Sequence, residues 1–155
     1  MKSFIYDVLV RDEWLDYNQH MRDANYGTVF SYAIDQFMVE IGMDEAYRAT
    51  TRGTLYVVED HKFYLLEVKA KATIHVETSI IDCDSNKIHV YQRMTAGPKV
   101  VAICESLLLH VAQGEVSKGE EIPKQIAAVI RRASLDAAEV LGLQRRSDRI
   151  AIRRR

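Results

Sequence analysis

Between Trp14 and Tyr26 the chain reads WLDYNQHMRDANY, which sets a carboxylate, Asp16, four residues before a histidine, His20, with Asn18 between them. The stretch is polar, and a long apolar helical pattern begins directly after it. An acid in such an elbow lies close to the unpaired backbone N–H groups that open a helix, and those groups hold anions. They also stabilise the oxyanion formed when an acyl carbonyl is attacked. A carboxylate placed there can attack an acyl carbon itself or take a proton from water. A plainer role is equally open, because Asp is a common cap of turns and helix starts. His20 could orient Asp16 or a water, or simply hydrogen-bond within the structure.

The elements that must hold this elbow follow from the hydrophobic pattern. Residues 4–10 (FIYDVLV) read as a first strand. Over 24–41, Tyr26, Val29, Phe30, Ala33, Phe37, Met38 and Ile41 recur at helical spacing, and Gly42 gives a stop. After a polar connection, 54–59 reads as a strand, with 63–66 continuing or following it. Residues 70–81 alternate, 82–86 (DCDSN) turn, 88–95 return, Gly97-Pro98 turn again, and 100–111 form a long last strand. One long helix among strands joined mostly by short turns is an α+β order with an antiparallel sheet. A second helix is expected over 120–141, with Pro123 in its first turn and Gly142 ending it. Ile126, Val129, Ile130, Ala133 and Val140 give it one apolar face. The chain thus divides into a domain, 1–113, and a C-terminal helix with a basic tail, 114–155.

Composition narrows the function classes. The 155 residues are 48% hydrophobic and 28% charged, as in an ordinary globular domain with a full core. No apolar run approaches the roughly 18 residues that span a bilayer. Acids close behind the first apolar residues argue against a signal peptide. Cys83 and Cys104 form no C-x-x-C pair and read as reduced structural thiols of a cytoplasmic protein. Net charge is −1, yet six arginines crowd the last eleven positions beside a single acid, Asp148, so the rest of the chain is acidic. That tail reads as solvated or frayed, or as paired with a neighbouring subunit. Without interleaved aromatics it does not suggest nucleic-acid binding. His61, His75, His89 and His110 are scattered, and no Gly-rich phosphate loop or G-x-S-x-G elbow occurs. Neither a metal nor a cofactor is expected.

The spelling of the elbow is similar to the D-x-x-x-H-x-x-x-A-x-Y signature of hotdog-fold acyl-CoA thioesterases of the 4-hydroxybenzoyl-CoA thioesterase type. The fuller form of that signature, D-x-D-x-x-G-H-x-N-x-A-x-Y, places its second Asp on Asp16. The resemblance implies a curved antiparallel sheet wrapped around the long helix, and thioester hydrolysis with Asp16 as nucleophile or general base, Asn18 and His20 beside it. It also implies an oxyanion donor among the backbone N–H groups near Asp23 and Ala24, and Tyr26 packed near the acyl pocket. A homodimer or homotetramer is implied, with the CoA arm between protomers and Lys87 a candidate for its nucleotide end. Two departures stand out: Gln19 replaces a Gly and Arg22 replaces an Asn. Gln enters the left-handed backbone region less cheaply than Gly. A second thioesterase branch uses a helix carboxylate instead, which makes Asp35 and Glu40 the rival acids.

The longer run VRDEWLDYNQHM…ANY…FSYAIDQFMVEIGM, followed by TLYVVEDHKFYLLEV, most resembles the betainyl-CoA thioesterase branch of carnitine breakdown. A trimethylammonium acyl group calls for aromatic faces and a nearby carboxylate. Trp14, Tyr32, Tyr56, Phe63 and Tyr64, with Asp35 or Glu59, are the candidates; the alternative is that these aromatics are core. Another short or aromatic acyl-CoA, or a non-catalytic acyl-CoA-binding module, are the competing functional readings.

Overall fold

Six strands form one antiparallel sheet in the computed structural model, which describes residues 2–154; Arg155 of the basic tail lies outside them. The strands are β1 (Ser3–Leu9), β2 (Gly53–Tyr64), β3 (Thr73–Cys83), β4 (Lys87–Ala96), β5 (Lys99–Ala112) and the short β6 (Lys118–Gly119). Their order is β1-β3-β4-β5-β2, with β6 also on β5. Register shifts at Val57/Glu59, Ile80/Asp82 and Met94/Thr95 let the sheet curl. Its concave face takes α1 (Asp23–Glu40), and this is the hotdog arrangement. Among the described residues no helix is long and apolar enough to cross a membrane.

Two apolar clusters share α1. Around its first half, Tyr26, Val29 and Phe30 pack with Val10, Trp14, Val76 and Met94. Around its second half, Phe37, Met38 and Ile41 pack with Ile80, Ile88 and Leu108. The alternating positions Ile74, Val76, Thr78 and Ile80 of β3 are all buried, as the period of two requires. The opposite side of α1, with Tyr32, Asp35, Val39 and Glu40, is exposed.

Several expectations need correction. The polar connection after Gly42 contains a helix, α2 (Glu45–Thr51), started by Asp44, whose side chain accepts from the Tyr47 amide at 2.8 Å. It buries no residue, so no apolar periodicity marked it. Just beyond it, a Cβ on Gly53 would meet the Tyr47 hydroxyl at 2.6 Å, so this close approach needs glycine. Strand β2 is continuous through Glu59–Lys62, because pairing to β5 resumes beyond the bulge despite the polar side chains. Strand β3 begins at Thr73 instead of residue 70.

The C-terminal helix is broken into α3 (Lys124–Ala133) and α4 (Ala137–Leu141), with Pro123 capping α3 from outside. Between them Ser134 is extended and the Leu135 amide donates to the Ile80 carbonyl at 2.9 Å, tying the break to the β3 bulge. Asp136 and Glu139 then start α4 as a capping box. Ile126 and Ile130 of α3 enter the core around the second half of α1. Up to Arg154, the basic tail is docked on this chain. It crosses the convex face of the sheet, where Arg146 binds Glu105, Arg154 binds Asp82, and Ile150 and Ile152 pack on Leu107.

Candidate active site

The elbow closes on itself before the helix starts. Leu15 bridges Met21, and the Asp16 amide donates to the His20 carbonyl at 2.8 Å. Gln19 turns the corner with φ 60°, so the left-handed position is kept without the glycine. Asp16 Oδ1 accepts from the amides of Asn18 at 2.8 Å and His20 at 3.2 Å. The His20 amide contributes most to holding this carboxyl below its ordinary pKa, against partial burial, and the Asn18 amide adds to it. Among the described residues nothing donates to its Oδ2. One oxygen is therefore fixed and the other is free, beside a cavity of about 730 Å³ that Asp16 helps to line. That volume is in the range of small-molecule pockets.

Helix α1 begins next to this carboxylate. Arg22 is its N-cap residue and makes no side-chain capping bond. The Arg22 amide donates to Trp14 O at 2.9 Å and the Asn25 amide to Arg22 O at 2.9 Å. Between them, the amides of Asp23 and Ala24 have no acceptor among the described residues. Two free N–H groups at a helix start, near a carboxylate with a free oxygen, are the parts an attacked thioester needs.

The far wall comes from 64–69 and is tied to the elbow by backbone bonds, Met21 N to Val68 O at 2.7 Å and Ala70 N to Gln19 O at 3.3 Å. His20 bridges Lys69 along the backbone, and its Nε2 lies 3.3 Å from Glu67 Oε2. The Tyr26 hydroxyl donates to Leu66 O at 2.9 Å, and its ring meets that of Tyr64 edge to face at 5.4 Å. Burial pushes the Tyr26 phenol up, so it stays neutral. Lys69 and Lys99 also line the cavity.

Asp16, Asn18, His20, Asp23 and Tyr26 therefore gather at one cavity, with Ala24 one residue into the helix. Other expected positions fall elsewhere. Trp14 is 5% exposed in the core, with the Arg11 guanidinium 5.1 Å from its ring centroid. Tyr32 sits on the open side of α1 against Tyr6, and Tyr56 binds Ser117 and Gln113 from β2. Glu59 is exposed at the β2 bulge, and Phe63 stacks near His61. Asp35 and Glu40 are exposed on α1, where Glu40 accepts from Gln36. Lys87 lies at the far end of β4 from the Ala96–Lys99 hairpin that reaches the cavity, bound to Asp84 and Asn86. Glu67, Lys69 and Lys99 were not foreseen. Glu67 and Lys69 arrive through the tertiary pairing of 64–69 with the elbow, for which no local sequence signal exists, and Lys99 through the β4–β5 hairpin.

The sequence of residues 10–130 matches a family model described as the thioesterase-like superfamily. The chain is 38% identical over 109 residues to the betainyl-CoA thioesterase of Pseudomonas aeruginosa, covering 69% of each. It is 37% identical over 125 residues to the L-carnitine dehydrogenase/betainyl-CoA thioesterase of Ruegeria pomeroyi, covering 81% of this chain and only 26% of that longer one. A Staphylococcus aureus protein solved in complex with CoA superposes with a TM-score of 0.79 at 25% identity, over 97% of this chain and 96% of that one.

Proposed function

The chain belongs to the thioesterase-like superfamily, a hydrolase of acyl-CoA thioesters, and from that premise we propose that its substrate is betainyl-CoA, cleaved to betaine and CoA in carnitine breakdown. The similarity to a protein named for that reaction carries the proposal, and the elbow supplies chemistry to match. With Asp16 ionised at neutral pH, its free Oδ2 adds to the thioester carbonyl or takes a proton from a water that adds. The oxyanion is received by the amides of Asp23 and Ala24, the C–S bond breaks, and CoA leaves as the thiolate. In the first route water then cleaves the mixed anhydride. Asn18 and His20 act through their backbone amides, which hold Asp16 Oδ1 in place, while the His20 ring faces Glu67. The Lys69 and Lys99 ammonium groups suit the phosphates of the CoA arm.

The same reading makes the working unit a homodimer. Strand β2 ends the sheet order, so its outer edge is unpaired, with Tyr56, Val57, Val58 and Tyr64 exposed along it. Pairing with a second copy covers that edge and closes the open side of the cavity. A reduced cytoplasm, where Cys83 and Cys104 stay free thiols, is the setting this substrate implies.

Hydrolysis followed with a thiol reagent over a panel of short, branched, aromatic and betainyl thioesters tests the substrate. Betainyl-CoA should show the highest kcat/KM, and a clear preference for another acyl group would replace it. Sedimentation at assay concentration tests the assembly, which an active monomer would contradict.

A further inference from the structure

We propose that Tyr64 and Glu67 form the seat for the trimethylammonium end of the acyl group. This rests on the betainyl reading and deepens it by assigning the residues that recognise fixed positive charge. A quaternary ammonium has no N–H to donate, so it is recognised by aromatic faces and by an opposite charge nearby. Five aromatics were candidates from the sequence, and only Tyr64 lines the cavity that holds Asp16. Tyr26 is there too, but it is 4% exposed and its hydroxyl is bound to Leu66 O. Tyr64 is 54% exposed and is braced by the Tyr26 ring at 80°. It therefore offers most of the aromatic surface the cavity has.

The platform beneath Tyr64 is firm. Tyr64 is the last residue of β2, and the next two amides, of Leu65 and Leu66, both donate to Val101 O at 2.9 and 3.1 Å. Three residues after Tyr64, Glu67 has a side chain that is 71% exposed, and among the described residues its one partner is His20 Nε2 at 3.3 Å. The acid is thus held at the cavity wall while keeping carboxylate surface for a cation. Asp35 and Glu59, the acids first considered, line no part of this cavity. Lys69 and Lys99, which also line the cavity, are both exposed, and such long stems carry their charge toward solvent.

The test compares betainyl-CoA with 3,3-dimethylbutyryl-CoA, an uncharged isostere, as a ratio of kcat/KM. The wild-type protein should prefer the charged ester by about 30-fold or more, the sum of cation–π and carboxylate attraction. Tyr64→Leu and Glu67→Gln should each cut the ratio about tenfold, and Tyr64→Phe should retain most of it, since the ring face and not the hydroxyl is used. Losses common to both esters cancel in the ratio. A strong wild-type preference that both Tyr64→Leu and Glu67→Gln leave unchanged would overturn the seat and leave the betainyl reading standing. A wild-type ratio near one would overturn both. Glu67→Gln, on an exposed side chain, keeps the test decisive should Tyr64→Leu fold poorly.

Discussion

Asp16 in the elbow and Glu105 on the convex face of the sheet are both carboxylates held below their ordinary pKa, yet only one is available for chemistry. Burial alone would raise Glu105, which is 1% exposed; the His89 ring, Arg146 and the Ser147 amide outweigh it. Glu105 Oε1 accepts from His89 Nε2 at 2.8 Å and from Arg146 Nε and Nη2 at 3.1 and 3.0 Å, and Oε2 accepts from the Ser147 amide at 2.7 Å. Both its oxygens are engaged and water is excluded. Asp16 has two amides on one oxygen and none on the other, at the edge of a cavity. A lowered pKa therefore does not mark a catalytic acid by itself. The free oxygen, and the free N–H groups at the start of α1 beside the same cavity, make the difference.

Four experiments put that contrast at risk. Glu105→Ala should have the largest effect, lowering unfolding free energy by about 3–5 kcal/mol, because Arg146 and His89 lose the partner of a buried ion pair. Urea melts would show it, and a loss under about 1 kcal/mol, the range of an exposed pair, would make Glu105 a bystander. Next, Asp16→Asn should lower kcat/KM by at least about 100-fold, typical for an essential base or nucleophile, while the same melts stay close to wild type. Activity within a few-fold would end its assignment, and Asp35→Asn and Glu40→Gln are the controls for the helix-carboxylate alternative.

The third experiment follows stability with pH. The folded pKa of Glu105 is depressed, so its contribution is complete above the ordinary value of 4.5 and fades as pH falls from there through the folded value. The stability gap between wild type and Glu105→Gln should accordingly be largest at neutral pH and narrow steadily in acid, as protons bind the carboxylate of the unfolded chain first. A gap independent of pH would mean that packing, not charge, holds the tail. The smallest effect is on the lysines. Lys69→Ala and Lys99→Ala should each raise KM for acyl-CoA a few-fold, as loss of a solvent-exposed phosphate contact does, and Lys87→Ala should not. The reverse pattern would move the phosphates to the other end of β4.

The parts governed by local pattern were legible in the sequence. The apolar spacing on α1, the alternation on β3 and the turns at 82–86 and Gly97-Pro98 all come from short-range rules, and they led to an α+β order with an antiparallel sheet; its wrapping around the helix came from the family resemblance. The elbow was legible because Asp16, His20 and Tyr26 lie within one short segment. What escaped was nonlocal or hidden by polarity. Helix α2 buries nothing, the break at Ser134 depends on a bulge in β3, and the wall carrying Glu67 and Lys69 reaches the elbow only through tertiary pairing. Trp14 and Lys87 show the same limit, since their residue types suited a ligand while the core and the far end of β4 hold them elsewhere.

The partners of Glu105 have a consequence for how the molecule is made. Arg146 and Ser147 follow it by 41 and 42 residues. At ribosomal speeds of about 5–20 residues per second, that separation is a delay of roughly 2–8 s. Through that interval β4 and β5 can pair and α1 can dock on the concave side, while the convex side stays wet because Glu105 cannot dehydrate without its cation. Leu107 remains uncovered for as long. Closing the tail over this face therefore comes well after the strands beneath it have been made, and the nascent sheet depends most on protection from its neighbours before then.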